Sequence, residues 1–254
     1  MNIVVPIKLV PDLIEELEID AGGTDLDRDS LSYKINEFDD HAIEEALQLK
    51  QAHGGSVTVL ALERDETDKV LYTALAKGAD RAIKITGVAE DASSHAAAKA
   101  MSRVVGGLDY DLVLTGVQAA DDRDGQMGVL LASYLGIPHV SVVSEVELSG
   151  DTVAVNKEYA GGVMARFEAT PRIVLGVQAA RQTPRYAPVS RVRQVMKEAD
   201  IEEVEVEDPA VPAGWTVRRM YAPVKGAGAK MLDGSAEDVA GKIAELLNEK
   251  RGRA

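Results

Sequence analysis

Two stretches of the sequence carry residue types whose spacing suits ligand chemistry. The first is Gly116-Val117-Gln118-Ala119-Ala120-Asp121-Asp122-Arg123-Asp124-Gly125-Gln126-Met127-Gly128-Val129. It follows the apolar run Asp111–Thr115 and leads into a helical pattern. A loop beyond the carboxyl end of a buried strand that opens a helix presents unpaired backbone N–H groups to an anion. Gly116, Gly125 and Gly128 would let the backbone approach a phosphate; they serve a tightly packed turn equally well. The spacing is neither the glycine-rich dinucleotide fingerprint nor a P-loop, which would end in Gly-Lys-Ser/Thr. Carboxylates pointed at a phosphate would repel it. Asp121, Asp122 and Asp124 are therefore expected to turn outward or to cap the helix, leaving Arg123 and the N–H groups near Gly125 for the anion. The second stretch, Asn36-Glu37-Phe38-Asp39, also precedes a helix. Asn36 can bond a base or ribose and Phe38 can pack on a ring; as a purely structural unit, Phe38 is a staple residue and Asp39 an N-cap. Lys8 lies inside the first apolar run as a buried or strand-end cation, where it can meet a phosphate or a carboxylate, or simply extend its head into water.

Catalytic machinery is not legible. No Ser-His-Asp order stands out and the many carboxylates form no recognisable pair. Cysteine is absent, which excludes disulfides, thiolate metal sites, iron–sulfur ligation and cysteine nucleophiles. The four histidines (His41, His53, His95, His139) include no close pair, so no metal site is expected. The formal charge of −14 makes the chain a poor nucleic-acid backbone binder. The first residues read as a strand rather than a signal helix, and no apolar run is long enough to span a bilayer. A soluble cytoplasmic protein is the expectation.

The elements that must hold these stretches follow from composition and period. Of the 254 residues, 46% are hydrophobic but only 4% aromatic, so Ala, Val, Leu and Ile must fill the core. Ile3–Val10 reads as a buried strand and residues 12–35 as a long loop or small hairpin. A helix starting after Asp39 and Asp40 and closing at Gly54-Gly55, a strand over Ser56–Leu62, a helix over Glu66–Ala76 and a strand over Arg81–Ile85 come next. A helix over Ser93–Val105, the strand Asp111–Thr115 and a helix over Gln126–Leu135 complete a β-α alternation. That alternation predicts an α/β fold with a parallel, Rossmann-like sheet covered on both faces. Val140–Leu148, Thr152–Lys157, Met164–Glu168 and Arg172–Val177 read as added, antiparallel strands. Residues 181–200 form a basic island, and 201–212 and 222–230 read as extended. Ser235–Lys250 is a helix capped by Ser235, with Val239, Ile243, Leu246 and Leu247 as its apolar stripe. The expected division is a nucleotide-binding domain over 1–180 and an arm over 181–254.

In shared order, several segments resemble the β subunit of electron transfer flavoprotein. They are Val4-Val5-Pro6-Ile7-Lys8-Leu9-Val10-Pro11-Asp12, Ile35-Asn36-Glu37-Phe38-Asp39, Thr73-Ala74-Leu75-Ala76-Lys77-Gly78-Ala79-Asp80-Arg81 and Asp109-Tyr110-Asp111-Leu112-Val113-Leu114-Thr115-Gly116-Val117-Gln118 with the loop after it. Asn156-Lys157-Glu158-Tyr159-Ala160-Gly161-Gly162 and Thr183-Pro184-Arg185-Tyr186-Ala187 continue the likeness over nearly the whole chain. Ala160 and Met164 depart from the family's signature segment. The resemblance implies a heterodimer with an α subunit. It holds one FAD mostly on that subunit, with AMP in the β subunit or, in an electron-bifurcating branch, a second FAD. It also implies electron transfer from flavin dehydrogenases, such as those of fatty acid oxidation, to a membrane quinone oxidoreductase. Carried over by position, Pro6, Asn36, Glu37, Phe38, Asp39, Leu62, Gly116, Gln118 and 121–129 would meet the adenine nucleotide. Leu13 and Phe38 would approach the FAD ring, and Arg185, Tyr186 and Val189 would meet partner proteins. No catalytic residue is implied, since the flavin carries the chemistry. Two other classes share the layout. A universal-stress-type nucleotide sensor would lack the long arm, and an ATP-pyrophosphatase-type ligase would need a Ser-Gly-Gly-x-Asp-Ser loop where Val10-Pro11-Asp12-Leu13 stands.

Overall fold

The computed structural model describes residues 1–122, 124–207, 209, 211, 216–224, 226 and 228–252. The first strand, β1 (Asn2–Pro6), is shorter than the apolar run that announces it. The chain leaves the sheet after Pro6 and forms β2 (Leu9–Pro11), which pairs antiparallel with β3 (Tyr33–Ile35) as a small separate ribbon. The α1 helix (Glu37–His53) then returns along the sheet to β4 (Ser56–Leu62). It begins ahead of Asp39, and its N-cap is Asn36. Next come α2 (Thr67–Lys77), β5 (Arg81–Thr86), α3 (Ser94–Val105), β6 (Leu112–Gly116), α4 (Met127–Leu135) and β7 (His139–Ser149). The β8 (Thr152–Tyr159) and β9 (Val163–Ala169) strands form a hairpin, and β10 (Ile173–Val177) follows. The chain ends with α5 (Val189–Glu198), β11 (Glu202–Glu205) and α6 (Ala236–Arg251).

Nine strands form one sheet in the order β11-β5-β4-β1-β6-β10-β7-β8-β9. The first seven are parallel neighbours; only the β7–β8 and β8–β9 pairings are antiparallel, so β8 alone runs against the sheet. The expectation that every strand beyond residue 140 would be antiparallel is therefore corrected for β7 and β10. All five residues of β10 are buried between β6 and β7, and its uninterrupted apolar run is the mark of a strand covered on both faces. One face carries α1, α2 and α5, with Ile43, Leu47, Leu71 and Val195 in its core. The other carries α3 and α4, with Met101, Val105 and Leu131. Two segments of the basic stretch and its sequel also belong to the body of the fold. The α5 helix buries Val195 against this core, and β11 adds a parallel edge beside β5.

Chain order places the site. From β1 the chain winds to β4 and β5 on one side, then starts again at β6 on the other. The crossovers before β5 lie on one face and those through α3 and α4 on the other. The reversal point is the crevice beyond the carboxyl ends of β1 and β6, where open α/β sheets bind ligands. Among the described residues no helix is long and apolar enough to cross a membrane.

Candidate functional site

At that crevice the structure gathers Lys8, the first turn of α1 and the loop after β6. Asp39, one turn into α1, is buried, 7% exposed. Its carboxylate accepts from the backbone N–H of Lys8 at 2.8 Å and from that of Gly116 at 3.0 Å. One side chain thus closes the ends of two adjacent strands and pins them to α1. Burial pushes its pKa up to about 7, against the lowering effect of the two N–H donors. Asp39 is neither the N-cap nor a residue open to solvent.

Asn36 is 1% exposed, and its Nδ2 donates to the Gln118 carbonyl at 2.8 Å, fastening the loop to α1. Among the described residues its Oδ1 has no hydrogen-bond partner, and the same holds for Thr115 Oγ1 and His139 Nε2. Lys8 Nζ donates to Asp121 at 2.8 Å and to Asp122 at 2.7 Å, and Asp124 accepts from Ser94 Oγ at 3.1 Å. Burial alone would lower the Lys8 pKa, but the two carboxylates leave it above its ordinary value. The three acidic side chains are therefore occupied by protein partners, where the sequence predicts them turned outward or capping the helix. Arg123 lies outside the described residues.

The glycines have separate duties. A Cβ at Gly116 would lie 2.5 Å from Asp39 Oδ1 and 2.7 Å from Phe38 Cβ, so the bare backbone lets α1 seat against the end of β6. A Cβ at Gly128 would lie 2.8 Å from Thr115 Oγ1 and 3.0 Å from His139 Nε2, so this glycine admits α4 to β6 and β7. Gly125, with φ of 63°, turns the chain into α4. Gln126 is the N-cap of α4 but its side chain makes no capping bond to the first N–H groups. Glu37, Gln126 and Val129 face solvent at this rim, and Met127 packs into the core beside α3.

The remaining predicted residues lie apart from this cluster. Pro6 ends β1, buried in register with Leu60. Leu62 ends β4 and packs on the second core. Leu13 stands 58% exposed in the loop after β2. Arg185 is held by Glu44, while Tyr186 and Val189 are 80% and 60% exposed. Of the partners open to Lys8 in the sequence, the structure shows carboxylates, those of Asp121 and Asp122, whereas nothing in the sequence points to the Glu44–Arg185 pairing. Only the tertiary fold brings both sets of partners close, across 113 and 141 residues of chain.

Comparison with known proteins gives the family. The family model described as "Electron transfer flavoprotein domain" matches residues 24–209. The electron transfer flavoprotein β subunit of Methylophilus methylotrophus is 34% identical over 265 aligned residues, covering 99% of this chain and all of that protein. The β subunit of Bacillus subtilis is 30% identical over 97% of each chain, and that of Clostridium acetobutylicum 36% identical over 76% of this chain and 74% of its own. With an α/β sheet of the expected kind and likeness along its whole length, the chain belongs to the electron transfer flavoprotein β-subunit family.

Proposed function

We propose that this chain holds AMP at the crevice between β1 and β6, completes the FAD pocket of an α subunit, and serves electron transfer from flavin dehydrogenases to a membrane quinone oxidoreductase. The observation that carries the reading is the start of α4. Among the described residues its first N–H groups lack a side-chain cap, it opens at the reversal point of the sheet, and the neighbouring carboxylates are turned to Lys8 and Ser94. A monophosphate fits such a helix start. The Asn36 Oδ1 acceptor, without a partner among the described residues, suits a donor on the adenosine. Asp39 and Asn36 hold the loop in place before any ligand arrives. Phe38 is the only aromatic side chain of the two ligand stretches, which favours the smaller nucleotide over a second FAD.

FAD, when bound, supplies the electron chemistry. The chain's own residues bind, orient and exclude water. Support for the shared pocket comes from α6, none of whose residues is buried within this chain. Co-expression with an electron transfer flavoprotein α subunit is expected to give a yellow heterodimer, and this chain expressed alone a colourless, poorly behaved preparation. A stable monomer with a full flavin spectrum would overturn the proposal.

A further inference from the structure

Three polar side chains on neighbouring turns of α1 reach one irregular segment. His41 Nδ1 accepts from the Ala180 N–H at 3.1 Å, Glu45 from the Arg181 N–H at 3.2 Å and Glu44 from the Arg185 N–H at 3.0 Å. Glu44 also receives both arms of the Arg185 guanidinium, Nε at 2.8 Å and Nη2 at 2.9 Å. The two glutamates are 3% and 1% exposed. A buried carboxylate costs several kcal/mol unless it is paired and fully hydrogen-bonded. Burial acts to raise the Glu44 pKa, yet the Arg185 contacts outweigh it and hold it below the ordinary value. Glu45 has a second tie, accepting from the Val146 N–H of β7 at 3.2 Å, so only Glu44 is devoted to the segment and to its own helix neighbour Gln48.

The segment from 179 to 188 belongs to no helix or strand, so these side-chain bonds stand where a ladder would. Directly beyond Arg185 the chain displays Tyr186 and Val189, and α5 presents exposed Met196 beside exposed Arg193 and Lys197. An apolar strip bordered by cations is complementary to an apolar cleft with carboxylates at its rim on another protein.

We infer that Glu44 is a positioning residue: through its two-point grip on Arg185 it fixes the place and direction in which Tyr186 and Val189 are offered to a protein partner. This rests on the proposed electron-transfer reading, in which that partner is a flavin dehydrogenase. Preorganising a docking segment lowers the ordering cost of association, so its loss should weaken docking without altering the transfer step.

The test compares the wild-type heterodimer with Glu44→Gln, Arg185→Lys and the Glu44→Gln/Arg185→Gln double variant. The double variant guards against the harm done by one uncompensated buried partner. Amide hydrogen exchange at Arg181 and Arg185 is expected to rise about tenfold or more in Glu44→Gln, while amides of β1 and the body of α1 stay protected. The heterodimer concentration giving half-maximal reduction by a substrate-charged acyl-CoA dehydrogenase should rise about tenfold, with the limiting rate unchanged. Arg185→Lys should fall between, because it keeps the charge and loses the fork. The double variant should match Glu44→Gln. Unchanged exchange, or increased exchange with unchanged half-saturation, would overturn the inference. A wild-type heterodimer that no charged flavin dehydrogenase reduces would overturn the functional reading beneath it.

Discussion

A chain ending at Gly234 is expected to lose assembly with the α subunit almost completely. The α6 helix that such a chain lacks is well made for its isolation. Ser235 caps the Asp238 N–H at 3.2 Å and the Asp238 carboxylate returns the bond to the Ser235 N–H at 3.1 Å. Acidic residues lie in its first turn and basic ones in its last, matching the helix dipole. Yet none of its residues is buried: of the stripe, Val239 is half-buried and Ile243, Leu246 and Leu247 are 45–57% exposed. Four such side chains buried on a partner contribute roughly 6–12 kcal/mol before entropy costs. Ile243→Asp with Leu247→Asp should therefore abolish the complex nearly as well as truncation, whereas Glu249→Ala, off the stripe, should leave it intact. Light scattering with size exclusion, read beside flavin absorbance, checks all three. A truncated chain that still yields a flavin-bearing heterodimer would remove α6 from the interface.

The second large effect concerns Asp39. Its folded-state pKa, about 7, stands above the ordinary 3.8 because of burial. Between those values the folded chain holds a proton that the unfolded chain has released, so the slope of stability with pH is negative there. The contribution is fully present below about pH 4 and is lost as pH rises through about 7, to the extent of a few kcal/mol. Asn at this position cannot titrate, and its amide can serve only one of the Lys8 and Gly116 N–H groups as acceptor. The Asp39→Asn protein is therefore expected to be less stable than wild type by about 1–3 kcal/mol at pH 5. That deficit should shrink or reverse by pH 8. Urea unfolding of both proteins across this range measures it. A deficit that grows with pH would show that Asp39 is instead held in its charged form.

Much of this architecture was legible because each signal was local. Gly78 and Gly136 stop their helices, Ser235 opens one, and short apolar runs mark strands buried on both faces. Features decided by distant chain were not legible. The run Ile3–Val10 gives no sign that Pro6 ends one sheet and Leu9 starts another. Strand direction is likewise silent in Ile173–Val177. The α5 helix was hidden among Arg191, Arg193 and Lys197, although Val192, Val195 and Ala199 keep helical spacing. Glu44 and Glu45 read as acids suited to the start of a helix. Their burial under Arg185 and Arg181 is set by a segment far along the sequence. At the candidate site the loop stands out by its glycines and its position after a strand, and the α1 start by its asparagine and the helix it opens. That Asp39 ties β1 to β6, and that Lys8 absorbs the loop carboxylates, follows only from the fold.

The central claim is that the uncapped start of α4, served by a loop whose acids are already paired, holds a single adenosine monophosphate. Acid release of the small molecules from the purified heterodimer, followed by their separation and counting against protein, tests it most directly. The account predicts one FAD and one AMP per heterodimer. Two FAD and no AMP would contradict it and place the chain with the electron-bifurcating flavoproteins.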